Sequence, residues 1–557
     1  VNVLISYMQM LINPDKYSHK IFQILLSQPF NVSPKDYRLI TENCSKFPTP
    51  LDCIRSIKDE DFEEGSKLKI FLQTYDYLSA YKTSENIKNT LLEIGSKTSI
   101  FDYYMNFEIN RTENIAALKK LIEEASAYSE IYKTSLLEEF VNHLEILQND
   151  EIDILTDKAP VTFNAVQLST YHSAKGKEFE YVYMPALISA NWESSKTPSI
   201  NIPLSPSEYK SKEELQELKL SDKTKVLYVG MTRAKHALTL SYALSKNGKP
   251  KKLSKFISNI KDSLSQIKAP EYDETSYWEE TVKTMVKREY DYKRDFAEMI
   301  KSKLKDKSYS PSAIKTYLYC PRQYLYSKIL KLEGRDGNPD NTSYGTAVHS
   351  ACEFAVKYAL KNNKYPSKQD FIEVFKNELS NQKVSDYKNR VNLEGRGEKA
   401  LDEFYNQIIT SPIKNLVNSE QEISYKHDNY SFYGIIDRVD KNEDGTYSIY
   451  DYKTGKAKTS KQVCPEGEHE DYYNQMAIYK YMFENLTGNK VSNTTFIFPD
   501  DCTKNLTVNY TEEDCNKVVE KFKNAIDSIN NLEFEPTYDQ KACKYCACAD
   551  FCKGNVL

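Results

Sequence analysis

The sequence predicts a multidomain α/β protein, with a helical first domain, a small α/β unit, a charged linker and a larger α/β domain. Three observations carry this. The chain has 557 residues, more than one hydrophobic core organises, so two to four domains are expected. Its apolar pattern changes from helical spacing to strand-like runs near residue 160. In the C-terminal half, two strand-like runs flank a strong turn signal, the mark of a hairpin.

Composition narrows the class. Charged residues are 28% and hydrophobic residues 40% of the chain, ordinary for a globular protein. No apolar run approaches the roughly 20 residues of a membrane helix, and Val1–Leu11 is too short and lacks the basic flank of a signal peptide. A membrane partner is therefore not expected, and the chain is read as intracellular and cytoplasmic. Net charge is −5, so any nucleic-acid contact comes from local basic patches.

Each element follows in order. In residues 1–160, Ile21, Phe22, Ile24, Leu25 and Leu26, then Ile115, Leu118, Leu121 and Ile122, recur at helical spacing. In residues 161–246, Val166–Thr170 and Tyr181–Met184 predict short strands about a turn at Lys175-Gly176-Lys177. Val226–Val229 and Ala237–Ser241 extend the same α/β unit. Residues 247–307 are polar and Lys-rich and predict a linker with some helix. Residues 308–557 mix helices with a hairpin whose strands, Ser431–Val439 and Thr446–Tyr452, flank the turn Asn442-Glu443-Asp444-Gly445.

The hairpin carries the chemistry. Its strands read Gly434-Ile435-Ile436-Asp437-Arg438-Val439-Asp440 and Ile449-Tyr450-Asp451-Tyr452-Lys453-Thr454-Gly455-Lys456. Residues two apart share a strand face, so Asp451 and Lys453 point the same way. Pairing centred near Asp444 sets Asp437 opposite Asp451. Two converging carboxylates suit Mg²⁺ or Mn²⁺, and the ammonium of Lys453 suits a charged transition state. That combination serves metal-dependent phosphodiester hydrolysis.

These residues closely resemble the RecB-like branch of the PD-(D/E)XK nucleases. The match runs from Gly345-Thr346-Ala347-Val348-His349 through Gly434–Asp440 and Asp451–Gly455 to Gln475-Met476-Ala477-Ile478-Tyr479. The resemblance implies a restriction-endonuclease-like α/β domain over 308–557. It implies that His349, Asp437 and Asp451 bind metal, with the carbonyl of Tyr452, and that Asp437, Asp451 and Lys453 are catalytic. Gln475 and Tyr479, four apart on one helical face, would support the site or grip DNA.

Of eleven cysteines, Cys543, Cys546, Cys548 and Cys552 crowd into the last fifteen residues, which suggests ligation rather than disulfides. Cys320 in Tyr319-Cys320-Pro321-Arg322 joins the late C-x2-C-x5-C in a pattern that resembles the iron–sulphur nucleases of the AddB and CRISPR-adaptation kind. The resemblance implies a [4Fe–4S] cluster on Cys320, Cys543, Cys546 and Cys552, with Cys548 the spare. A four-thiolate zinc site satisfies the same spacing.

Upstream, Leu168–Phe179 resembles motif V, and Tyr228–Lys235 motif VI, of the UvrD/Rep-like superfamily 1 helicases. By that resemblance residues 1–160 are a helical 2B-like domain and 161–246 the C-terminal part of a RecA-like motor domain 2A. Arg233 would reach the ATP γ-phosphate and Glu178 would lie by the nucleotide, with Thr170 and His172 towards the DNA strand. Lys225 stands where family members often carry an arginine. No G-x-x-x-x-G-K-[ST] occurs in these residues. The chain is therefore expected to be the C-terminal part of a longer helicase–nuclease of the AddAB, AdnAB and RecBCD kind. Such an enzyme acts on single-stranded DNA and duplex ends in double-strand-break repair, alongside a second helicase or nuclease subunit. Two other readings are a non-motor, DNA-scanning subunit of a hetero-complex and a standalone CRISPR-adaptation-type nuclease. Motifs V and VI count against the latter.

Overall fold

The computed structural model describes residues 1–81, 86–106, 111–154, 156, 166–193, 212–246, 248–265, 267, 292–335, 339–502, 504–537 and 543–552. They fall into two compact units, Val1–Thr162 with Asp291–Leu557, and Phe163–Tyr290. No helix among the described residues is long and apolar enough to cross a membrane.

The first unit opens with helices from Asn2–Ile12 to Leu137–Asn149. Local chemistry starts several of them. Ser33 caps helix Pro34–Asn43, with proline at its first position, and Asn86 caps Ile87–Lys97. The apolar stripes bury Ile21, Leu25, Ile94, Leu118, Leu121 and Phe140.

That helical region does not close on itself. Its core is continuous with that of the C-terminal region, and the ring of Phe101 lies 5.1 Å from that of Phe551. Residues 1–162 and 291–557 thus pack as one compact unit. Periodicity shows that a face is buried without showing against what.

The C-terminal region is a five-stranded sheet whose strands neighbour one another in chain order. Its strands are β5 (Leu416–His427), β6 (Tyr430–Lys441), β7 (Tyr447–Tyr452), β8 (Val491–Ile497) and β9 (Leu506–Val508). Neighbours are antiparallel except β7 and β8, which are parallel and joined through helix Glu470–Thr487. Helices Asp340–Asn362, Lys368–Asn381 and Tyr387–Ile408 bury Phe371, Phe375 and Phe404 with Tyr452 and Ile497 of the sheet. Helices Glu470–Thr487 and Glu512–Asn530 pack Met476, Met482 and Phe522 in the core that holds Ile449 and Phe496. The ends of β6 and β7 are therefore reached by side chains from two helical layers.

In the second unit β1 (Phe179–Met184) pairs in parallel with β2 (Ala234–Leu240), with helix Lys212–Met231 between them in sequence. Two short strands, β3 (Ser245–Lys246) and β4 (Lys249–Pro250), form a small antiparallel pair. Met184, Leu187, Trp192, Leu227 and Ile257 make the core.

Several expectations change here. Val166–Thr170 is not a strand, and Val166 and Leu168 are fully exposed. An alternating run needs a neighbour to pair with, and none of the described strands takes that place. Val226–Val229 lies inside helix Lys212–Met231, where Leu227 is buried. Of the expected linker 247–307, residues 248–265, 267 and 292–307 are described, while residues 247, 266 and 268–291 lie outside the described ones. Ile257 joins the second unit's core, and helix Tyr292–Leu304 packs on Arg111–Tyr132 and buries Met299, Ile300 and Leu304. Lysines dominate that segment's composition, but a few apolar side chains decide its packing.

Candidate active site

The β6–β7 ladder runs from Lys441↔Tyr447 to Arg438↔Tyr450, and one further step sets Asp437 opposite Asp451. The turn fixes this register. The N–H of Gly445 donates to the carbonyl of Asn442 at 3.0 Å, and Gly445 takes φ +84°, where a side chain would be strained.

A second hairpin adds a residue that the sequence reading missed. Asp428, at φ +54°, and Asn429 form a two-residue turn between β5 and β6. The pairs Ser419↔Arg438 and Gln421↔Ile436 then place Glu420 opposite Asp437. Three carboxylates, Glu420, Asp437 and Asp451, thus lie across three neighbouring strands.

His349 reaches them from helix Asp340–Asn362, with Nδ1 3.5 Å from Oδ2 of Asp437. One ligand atom from each of His349, Glu420 and Asp437 lies within 4.8 Å of the others. The N–H of Tyr452 donates to Oδ2 of Asp437 at 2.6 Å, and the backbone of Tyr452 also hydrogen-bonds the His349 ring.

On the other side of the ladder, helix Glu470–Thr487 supplies Gln475. Its Nε2 donates to Oδ1 of Asp451 at 3.0 Å and lies 3.2 Å from the hydroxyl of Tyr479. Its Oε1 accepts from Nζ of Lys453 at 3.1 Å. That Nζ also sits 2.7 Å from Oδ2 of Asp451 and 4.9 Å from the centre of the Tyr472 ring, a neighbour the sequence reading missed. Gly434 makes room for the helix, since a Cβ there would stand 2.5 Å from the Tyr479 ring.

Electrostatics explain what the cluster lacks. Burial, then the Asp451 charge, push the Asp437 carboxyl well above the usual carboxylate range. Burial, then Glu353, raise Glu420 as well. Burial lowers His349, leaving a neutral imidazole able to act as a ligand. Burial also opposes the charge on Lys453, but Asp451 beside it outweighs this and holds the ammonium above its ordinary range. Buried acids with one ammonium between them remain short of positive charge. The donors are hard oxygens and one imidazole, a set that fits a small divalent cation.

Cys320 and the late cysteines stand at the two ends of the C-terminal region in sequence, and among the described residues no three of their thiols lie within 4.8 Å of one another, so the expected four-cysteine site is not shown. The Cys552 thiol, pushed up to about 12 by burial and relieved partly by Arg322, senses Cys546, Cys320 and Cys543. Cys548 is buried and hydrogen-bonds Cys546, whose pKa falls to about 7 through that bond.

The nucleotide and strand candidates lie in the second unit. The Tyr171 ring sits over the backbone of Gly230, joining the two helicase-like motifs. The N–H of Phe179 donates to the carbonyl of Arg233 at 2.9 Å, while Glu178 pairs with Lys235 at 3.4 Å. The Arg233 guanidinium donates to the carbonyls of Val229 and Lys177 at 2.9 and 3.0 Å. The Thr170 hydroxyl bonds Ser173 in the turn that carries His172, and Lys225 pairs with Asp222 at 3.0 Å.

Comparison with known proteins finds two families in succession along the chain. Residues 308–553 match the PD-(D/E)XK nuclease superfamily, and residues 4–245 match the UvrD-like helicase C-terminal domain. An ATP-dependent helicase/nuclease subunit from Lactobacillus gasseri is 25% identical over 289 residues, 48% of this chain and 23% of that protein. The protein of the same name from Lactobacillus acidophilus is 26% identical over 258 residues, 43% of this chain and 21% of its own length. DNA helicase II of Rickettsia typhi is 27% identical over 191 residues, 33% of this chain and 24% of its own length. The chain spans about a quarter of the length of these relatives. It carries, in order, a UvrD-like helicase C-terminal domain and a PD-(D/E)XK nuclease domain.

Proposed function

We propose that this chain is the nuclease-bearing part of a helicase–nuclease that hydrolyses DNA phosphodiester bonds in double-strand-break repair. The opposition of Asp437 and Asp451 across the β6–β7 ladder, with Lys453 against Asp451, carries the reading. His349, Glu420, Asp437, Asp451 and the carbonyl of Tyr452 would hold Mg²⁺ or Mn²⁺, which supplies Lewis-acid charge at the scissile phosphate. Lys453 holds its proton at Nζ and presents it to the developing phosphate charge. Gln475 keeps Lys453 and Asp451 in register, and Tyr479 braces Gln475. Tyr452 orients Asp437 through its N–H.

Cys320, Cys543, Cys546 and Cys552 would hold a [4Fe–4S] cluster that ties the two ends of the nuclease region together. The spacing of Cys320 with the late C-x2-C-x5-C is what supports this assignment. In the complete enzyme Arg233 and Glu178 would face ATP, Thr170 and His172 would face the strand, and a second subunit would share the DNA end. The deciding experiment incubates the chain with end-labelled single-stranded DNA and Mn²⁺ or Mg²⁺. Cleavage that EDTA stops and Asp451→Asn abolishes supports the reading. Cleavage that survives in a folded Asp451→Asn protein would overturn it.

A further inference from the structure

Asp500 lies beside the site in a role that the proposed function leaves unassigned. It follows β8 in the turn Pro499–Asp501, with its side chain only 10% exposed. Its Oδ1 accepts from the Tyr344 hydroxyl at 2.7 Å and from Nε of Arg396 at 2.9 Å. Its Oδ2 accepts from Nη2 of Arg396 at 2.9 Å and from the N–H of Gly455 at 2.6 Å. The Arg396 fork is bidentate, the geometry that fixes a carboxylate's orientation as well as its place.

The three partners come from three places. Tyr344 is on helix Asp340–Asn362, five residues before His349, and Arg396 is on helix Tyr387–Ile408. Gly455 is in the loop that leaves β7, two residues past Lys453. The N–H of Lys453 donates to the carbonyl of Ile497 at 2.8 Å, extending the β7–β8 pairing by one rung. Gly455 then takes φ +97° and turns the chain. Thr454, between them, packs towards the same helix, its Oγ1 3.5 Å from where a Cβ on Gly345 would stand.

Resting on the nuclease reading of the site, we propose that Asp500 is a positioning residue for Lys453. A lysine has four rotatable side-chain bonds, so its Nζ is placed only as well as its backbone is held. Ile497 holds that backbone at residue 453, and Asp500 holds it at residue 455. Through Tyr344 the same carboxylate ties the lysine-bearing turn to the helix that carries His349. A carboxylate serving only the core would have no need of an N–H from this loop.

The experiment uses the full chain as wild type, Asp500→Asn and Arg396→Gln. Asparagine keeps the size of Asp500 but sets an amide NH₂ where one of its donors needs an acceptor. Three quantities are read: the acetylation rate of Lys453 by peptide mass spectrometry, Mn²⁺ affinity by electron paramagnetic resonance, and single-turnover cleavage of labelled single-stranded DNA. In Asp500→Asn, Lys453 acetylates several-fold faster and cleavage falls roughly 10²-fold, the cost of about an ångström of misplacement. Mn²⁺ affinity stays at the wild-type value. Arg396→Gln moves both rates the same way by less, and it decides the matter should Asp500→Asn not fold. A folded Asp500→Asn protein with wild-type labelling and cleavage overturns the proposal, as does a loss of Mn²⁺ affinity that accounts for the lost rate. If the wild type cuts no DNA, the nuclease reading fails, and the labelling rate of Lys453 still decides the role of Asp500.

Discussion

Asp437 and Asp451 face each other across the end of the β6–β7 ladder, one step past the Arg438↔Tyr450 pair. Each is buried and each is held by a different donor, Asp437 by the Tyr452 N–H and Asp451 by the Gln475 amide. Lys453 touches only the second of them. The two sides of the site therefore separate on mutation. Lys453→Ala should retain Mn²⁺ affinity and lose cleavage by roughly 10²- to 10³-fold, the size of one lost transition-state donor. Asp437→Asn should lose both. Titration of Mn²⁺ beside a single-turnover assay distinguishes them, and equal loss of affinity in the two variants would contradict this division.

Glu420 makes a sharper case, because its place depends on register alone. It takes φ +50° on β5 and shares the 4.8 Å group with His349 and Asp437. Glu420→Gln keeps the shape and removes the charge. The expected loss of Mn²⁺ affinity is at least the roughly 10- to 100-fold typical of even an outer-shell partner. Cleavage should recover in part at high Mn²⁺. An unchanged binding isotherm would remove Glu420 from the ligand set.

Why Asp437 and Asp451 were legible and Glu420 was not has a physical answer. The turn Asn442–Gly445 has a strong sequence signal, and once its centre is known the opposition of Asp437 and Asp451 is arithmetic. Reading β6 from Ser431 stops just short of the Asp428-Asn429 turn. Counting back from that turn would have set Glu420 opposite Asp437. Asp500 lies in a turn after β8, where no periodicity marks it, and its importance comes from partners distant in sequence. The shared core was hidden for a related reason. Phe101 and Phe551 each look like an ordinary buried residue, and nothing local says that they meet.

The cysteine assignment predicts a colour. Protein purified without oxygen should be brown, with broad absorbance near roughly 400 nm and iron and sulfide in equal amounts. Cys320→Ala should abolish the colour, although Cys320 lies more than 200 residues from the other three. Because Cys546 and Cys548 are hydrogen-bonded neighbours, Cys548→Ala should leave the iron content unchanged if Cys546 is the ligand. Colourless protein holding one zinc per chain would replace the cluster with a four-thiolate zinc site.

The same cysteine segment is a mechanical joint. Arg335 donates through Nε and Nη2 to both oxygens of Asp550 at 2.7 and 3.0 Å, and through Nη1 to the Tyr81 hydroxyl at 3.2 Å. It also pairs with Glu93 of the first helical region. The main-chain N–H of Arg335 donates to the carbonyl of Ala547 at 3.2 Å. Asp550 and Glu93 are both buried, so the two regions present like charges that one guanidinium reconciles. Arg335→Met keeps much of the stem and removes that charge. Breaking a buried pair costs about 3–5 kcal/mol, and since the Arg335 side chain is a third exposed the lower end, about 3 kcal/mol, is expected. Urea unfolding should show the loss, and protease should cut first near residues 543–552. Adding Glu93→Gln should recover part of it, because the repulsion between the Glu93 and Asp550 carboxylates is then removed. An unchanged unfolding midpoint in Arg335→Met would mean that the rings of Phe101 and Phe551 hold the joint without the ion pairs.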